Sequence, residues 1–144
     1  MVAKEEMLQV LARTPLFTGL KERQLERLAR RFIERSYEPG DRIVVQGKGG
    51  EGFFVIVSGE AEAVLDRDDG AQAVLNPLSA GDFFGEMALL TDALRSASVV
   101  AKTDVMCIVL TRWDFLGILR EDAEMAVAVL QELAERFHRV MTTL

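Results

Sequence analysis

Gly81-Asp82-Phe83-Phe84-Gly85-Glu86-Met87-Ala88-Leu89-Leu90, followed closely by Arg95-Ser96-Ala97-Ser98, brings glycine, an acid, a short apolar turn and one arginine together. Each residue type has a chemical use here. Gly85 has no side chain, so backbone can approach a ligand closely. A short helical turn beginning near Glu86 leaves unpaired N–H groups at its N-terminus, and these attract an anion. Arg95 offers a planar fork of donors that fits phosphate oxygens. Glu86 is unsuited to phosphate but suits a sugar hydroxyl, because an ionised carboxylate only accepts hydrogen bonds. The combination is one that can hold a ribose phosphate.

Outward from this stretch the periodicity is that of strands. Glu38-Pro39-Gly40-Asp41 is a turn signal, and Ile43-Val44-Val45 after it is short and β-branched. Phe53–Val57 is a continuous apolar run bounded by glycines, as expected of a buried strand. Glu60–Leu65 begins by alternating, which puts Glu60 and Glu62 outside and Ala61, Ala63 and Leu65 inside. Asp69-Gly70 suits a hairpin turn, Val74-Leu75 and Leu78 continue the strands, and Ala97–Ala101 and Val105–Leu110 add two more. Many short strands with glycine turns predict a small barrel or jelly roll.

Both ends read as helical. Met7, Leu8, Val10 and Leu11 suit a short helix over Glu5–Arg13, ended by Pro15. Leu25, Leu28, Ala29 and Phe32 repeat at helical spacing over Lys21–Ile33. Thr111–Asp114 has capping-box spacing, with Asp in place of Glu, and predicts a helix through Phe115, Leu116, Ile118 and Leu119, weakened at Gly117. A last helix is expected over about Asp122 to Met141. On it Ala123, Ala126, Leu130, Leu133, Phe137 and Val140 form a heptad seam, widened by Val127, Ala134 and Met141. That seam suits packing on the barrel, a dimer contact or closure over a ligand.

Size and composition bound the rest. The chain has 144 residues, 49% hydrophobic and 28% charged, which suits one soluble domain with its own core. A net charge of −6 argues against direct nucleic-acid binding, which needs a basic face. Cys107 is the only cysteine, so no disulfide framework exists, as in a reducing compartment. The apolar runs are strand-sized and the N-terminus is too acidic for a signal peptide. The expected setting is therefore the cytoplasm, or the cytoplasmic part of something larger.

Gly47-Lys48-Gly49-Gly50-Glu51-Gly52 formally matches G-x-G-x-x-G, yet a strand follows it where the dinucleotide fingerprint needs a helix. It reads as a flexible β-loop. With His138 the only histidine, a metal-binding jelly-roll enzyme lacks ligands and no Ser-His-Asp arrangement is convincing. His138 reads as a helix-surface residue, Cys107 as a small apolar group in a strand, and Trp113 as core or a helix-start anchor.

FGEMALL followed by RSAS resembles the phosphate-binding cassette of cyclic nucleotide-binding domains, found in catabolite-activator-type regulators, kinase regulatory subunits and cyclic-nucleotide-gated channels. Gly40-Asp41-Arg42-Ile43 and Phe53–Gly59 agree with it, and the resemblance runs from about Leu16 to about Val140. It implies an α+β domain over 1–144. N-terminal helices would occupy 1–36, a β jelly-roll barrel 37–110 with its cassette at 84–98, and C-terminal lid helices 111–144. The resemblance implies recognition without catalysis and without a cofactor, the ligand being cAMP or cGMP, with cAMP favoured.

By the same carry-over Arg95, Ser96, Gly85 and the N–H groups of Met87 and Ala88 would hold the phosphate. Glu86, with Gly85, would take the ribose. Ala63 and Leu75 would face the base or sugar, and Arg136, Phe137, Val140 and Met141 would cap the base. Taken alone, Arg95 could be a solvated surface arginine, Glu86 a helix-dipole acid and Ser96 a polar strand-entry residue. Family transcription factors carry a helix-turn-helix after the lid helix. This sequence stops at Leu144, so the expectation is that a partner protein reads the helix or that the chain is a fragment of a channel, regulator or enzyme. The expected partners are a homodimer through the last helix or an effector protein or domain. The rival expectation is a jelly-roll interaction module that does not respond to nucleotide.

Overall fold

The computed structural model describes residues 3–49, 52–92 and 94–143, and the chain divides into two compact units. One unit takes both chain ends, through Arg31 and from Trp113 on; the other is Phe32–Arg112.

The strand unit holds eight strands: β1 (Ile33–Tyr37), β2 (Arg42–Val44), β3 (Gly52–Ser58), β4 (Ala61–Asp66), β5 (Gln72–Leu78), β6 (Phe83–Phe84), β7 (Ser98–Ala101) and β8 (Val105–Thr111). They form two antiparallel four-stranded sheets, ordered β1-β8-β3-β6 and β2-β7-β4-β5, a jelly-roll-like pair of ladders that does not close into a barrel. Ile43, Val44, Phe54, Ile56, Ala61, Val99, Ala101, Val105, Cys107 and Val109 form one buried cluster. Central β3 and β8 are apolar almost throughout, as strands covered on both faces must be. Cys107 is fully buried within that cluster, and burial pushes its thiol up to about 12.

The helical unit contains α1 (Lys4–Arg13), a 3-10 turn (Pro15–Phe17), α2 (Glu22–Ala29), most of α3 (Arg112–Glu121) and α4 (Ala123–Thr142). Its interior is Leu11, Leu16, Phe17, Leu28, Phe115, Ile118, Met125 and Val129, with the Phe17 and Phe115 rings 5.7 Å apart. Asp122 caps α4 by accepting from the Met125 N–H at 3.0 Å. Arg27 meets Glu121 at 2.6 Å and Arg23 meets Glu124 at 3.3 Å, exposed pairs that each contribute little. Among the described residues no helix is long and apolar enough to cross a membrane.

Several expectations are corrected. The second helix stops at Ala29, and Ile33–Tyr37 is strand β1, because pairing with β8 (Ile33 with Val109 through Tyr37 with Val105) overrides the local helical spacing. Helices therefore do not extend to residue 36. On β4 Ala61 is buried as expected, but further along it is Val64 rather than Leu65 that is buried, where the register with β5 slips by one. Trp113 stands at the start of α3 but is 68% exposed, so it is not core. On α4 the buried residues are Met125 and Val129, while Leu130, Phe137 and Val140 of the heptad seam are exposed. His138 is exposed, as expected. Of the glycine-rich loop, Gly50 and Glu51 lie outside the described residues, and Gly52 opens a strand rather than a helix.

Candidate functional site

The cassette is shaped by two short elements. Phe84 and Phe83 pair with Phe54 and Val55 on β3, and the Phe54 and Phe84 rings stack at 5.1 Å and 4°. Gly85 then takes φ +82°, a left-handed value that favours glycine, and launches the 3-10 turn Glu86–Leu89. Buried Ala88 and Leu89 pin that turn from beneath. A Cβ on residue 85 would lie 2.9 Å from the Gly52 carbonyl oxygen and run into Nη1 of Arg95.

Arg95 is fixed at both its backbone and its side chain. Its N–H donates to the Lys48 carbonyl at 2.8 Å, and its carbonyl accepts from the Gly47 N–H at 2.9 Å. Nη2 donates to the Gly52 carbonyl at 2.8 Å, and Cζ lies 6.0 Å from the Phe54 ring centroid. Nε is buried and has no hydrogen-bond partner. Burial moves the guanidinium down from its ordinary pKa by desolvation, yet an arginine stays charged in a protein. A buried donor on a desolvated cation is the arrangement that an anion stabilises most.

These groups open onto one cavity of about 350 Å³, at the small end of the range for ligand pockets. Gly85, Glu86, Met87, Ala88, Arg95, Ser96 and Ala63 all line it, so seven of the residues expected from the sequence meet in one place. Val44, Phe84, Leu94, Ala97 and Val99 line it as well. The result is a cation and a carboxylate on a largely apolar wall. The Ala88 N–H donates to the Gly85 carbonyl at 3.0 Å, so a phosphate oxygen there would share or displace that donor.

Leu75 is not in this cavity. It is the extra residue of the β4–β5 bulge, opposite no partner between the Ala63–Asn76 and Val64–Val74 pairs, and is 52% exposed. Arg136, Phe137, Val140 and Met141 belong to α4 in the other unit, where Arg136 is half-buried and the other three are exposed. Sequence reasoning missed Gly52, whose carbonyl holds Arg95, and Phe54, whose ring lies beneath it. Both lie some forty residues away along the chain, beyond any local signal. Ala97 and Phe84 were within reach, being adjacent to Ser96 and Gly85.

The profile of the cyclic nucleotide-binding domain family matches residues 34–122, more than half of the chain. A cAMP-dependent protein kinase regulatory subunit of Colletotrichum orbiculare is 43% identical over 95 residues, which is 66% of this chain and 24% of that one. The chain spans 24% to 30% of the length of the first curated relatives it matches. Among solved structures, the N-terminal domain of a transcriptional regulator from Streptomyces coelicolor A3(2) superposes with a TM-score of 0.83 at 27% identity, covering 93% of this chain and 94% of that one. The regulatory domain of Toxoplasma gondii PKA, co-crystallised with cAMP, superposes at 0.71 with 30% identity, covering 80% of this chain and 44% of that one. With the family's profile matched over more than half of its length, the chain belongs to the cyclic nucleotide-binding domain family.

Proposed function

We propose that this domain is a sensor that binds a 3′,5′-cyclic nucleotide, cAMP in preference to cGMP, without catalysis, and relays occupancy through α4. The observation that carries the reading is the Arg95 guanidinium on the cavity wall, desolvated, with its Nε buried and unpartnered. The cyclic phosphate is a single negative charge that meets this fork and Ser96, with Gly85 allowing close approach. Glu86 accepts from the ribose 2′-hydroxyl, and Ala63 with Val44 and Val99 gives the sugar and base an apolar surface. The preference for cAMP is supported by the names of the relatives, including the Toxoplasma domain solved with that nucleotide.

The relay uses the exposed apolar row of α4. Arg136, Phe137, Val140 and Met141 cap the base, and Val127 and Leu130 serve contact with a second copy or an effector. Occupancy becomes a signal only if two arrangements of α4 bind nucleotide with different affinity, and a coupling of about 1–3 kcal/mol is typical. Thermal unfolding with and without nucleotide tests the ligand. At 100 times its dissociation constant, cAMP should add roughly 2.7 kcal/mol of stability, and an unchanged melt with both cAMP and cGMP would favour the unresponsive interaction module.

A further inference from the structure

The ladder between β2 and β7 pairs Arg42 with Val100 and Val44 with Val99, with an irregularity between them, and then stops. Pairing resumes beyond the gap, where Gly47 and Lys48 grip the Arg95 backbone. Between these two anchored stretches, residues 96 and 97 leave the ladder and line the cavity. Among the described residues neither of their N–H groups donates to a backbone carbonyl. This bow leaves Gln46, in the turn that follows β2, without a backbone acceptor there.

Ser98 fills the gap. Its side chain is wholly buried, and its hydroxyl oxygen accepts from the Gln46 N–H at 2.8 Å and from Nη1 of Arg42 at 2.8 Å. The Gln46 amide in turn grips β4 at two points, accepting from the Asp66 N–H at 2.7 Å and donating to the Asp66 carbonyl at 3.0 Å. Residues 46–48 are thus strapped to β4 on one side and to the Arg95 backbone on the other. Ser98 does not line the cavity itself.

We propose that Ser98 is a positioning residue whose hydroxyl, acting through Gln46, fixes the Arg95 backbone and keeps residues 96–97 bowed toward the cavity. Without the hydroxyl, the part-buried Gln46 N–H loses its acceptor, and Arg42 keeps only its 3.0 Å bond to Asp66. The nearest remedy is for residues 96–97 to fall back toward the ladder, which moves Arg95 away from Gly52 and Phe54. The consequence for nucleotide affinity rests on the functional reading above, whereas the effect on the Arg95 backbone does not.

The experiment therefore has a ligand-free arm. Amide hydrogen exchange is followed by NMR in the full chain for wild type, Ser98→Ala, Ser98→Thr and Gln46→Ala, with Gln46→Ala carrying the test should Ser98→Ala fail to fold. In Ser98→Ala and Gln46→Ala the Arg95 and Gly47 amides should exchange at least ~10-fold faster while those of β3 and β8 hold their rates, and Ser98→Thr, which keeps the hydroxyl, should restore protection. With cAMP, Ser98→Ala should bind at least ~10-fold more weakly, and that loss should shrink to under ~3-fold in an Arg95→Lys background.

Unchanged Arg95 exchange in the variants, an equal rise across the core strands, or an undiminished affinity loss beside Arg95→Lys would each overturn the proposal. Wild-type protein that ignores cAMP while its Arg95 amide responds as described would leave the positioning role standing and remove the nucleotide reading.

Discussion

Replacing Gly85 by alanine should weaken both the fold and the ligand site, by two routes that separate in experiment. The first is local strain. Residue 85 sits at φ +82°, where a side chain costs about 1–2 kcal/mol. In a 144-residue chain that lowers Tm by roughly 3–8 °C. The second is displacement. The new Cβ lies 2.9 Å from the Gly52 carbonyl oxygen and collides with Nη1 of Arg95. Gly52 cannot yield, because it is paired with Thr111 on β8, so the guanidinium must move and give up its 2.8 Å bond to that carbonyl. A charge-assisted hydrogen bond contributes about 1.5–3 kcal/mol, so nucleotide affinity should fall at least ~10-fold. Scanning calorimetry of the ligand-free protein reads the strain, and titration calorimetry reads the displacement. A variant that melts and binds like wild type would refute the reasoning that Gly85 and Arg95 are fitted to each other.

Three further outcomes are expected. Glu86→Ala should bind cAMP about 10-fold more weakly and no longer distinguish it from 2′-deoxy-cAMP in competition, because the missing carboxylate is the group that accepts from the ribose hydroxyl. Cys107, its thiol pushed up to about 12 by burial, should resist iodoacetamide in native protein and react on denaturation. Because the folded value is the raised one, its share of stability is complete below the unfolded thiol's value of about 8.5 and declines as pH rises above that, which alkaline melts of wild type and Cys107→Ala would show. Leu130→Glu, at a position 63% exposed, should leave stability within about 0.5 kcal/mol of wild type while abolishing any self-association seen by sedimentation.

The site was legible where chemistry is local. Gly85, Glu86 and Arg95 announce themselves by type and spacing, and the strands of the two sheets by apolar runs between glycines. What escaped depends on distant partners. Phe32 and Ile33 extend a helical spacing, and only the pairing of Ile33 with Val109 makes β1 a strand. Phe83–Phe84 is two residues long, too short for any periodicity, and becomes β6 by lying beside Phe54 and Val55. Leu75 lies in an apolar strand segment and so reads as a wall residue, but it is the extra residue of a bulge that no turn residue marks. On α4 two apolar rows compete, one through Met125 and Val129 and the other through Leu130 and Phe137, and packing in the helical unit buries the first. The grip of Gly52 on Arg95 spans 43 positions and has no sequence signature at all.

The account turns on an anion meeting Arg95 within the cavity, and calorimetric titration of wild type and Arg95→Ala with cAMP tests it most directly. Wild type should saturate at one nucleotide per chain, and the variant should bind at least ~10-fold more weakly. Equal affinity in the two proteins, or no binding by wild type, would contradict it.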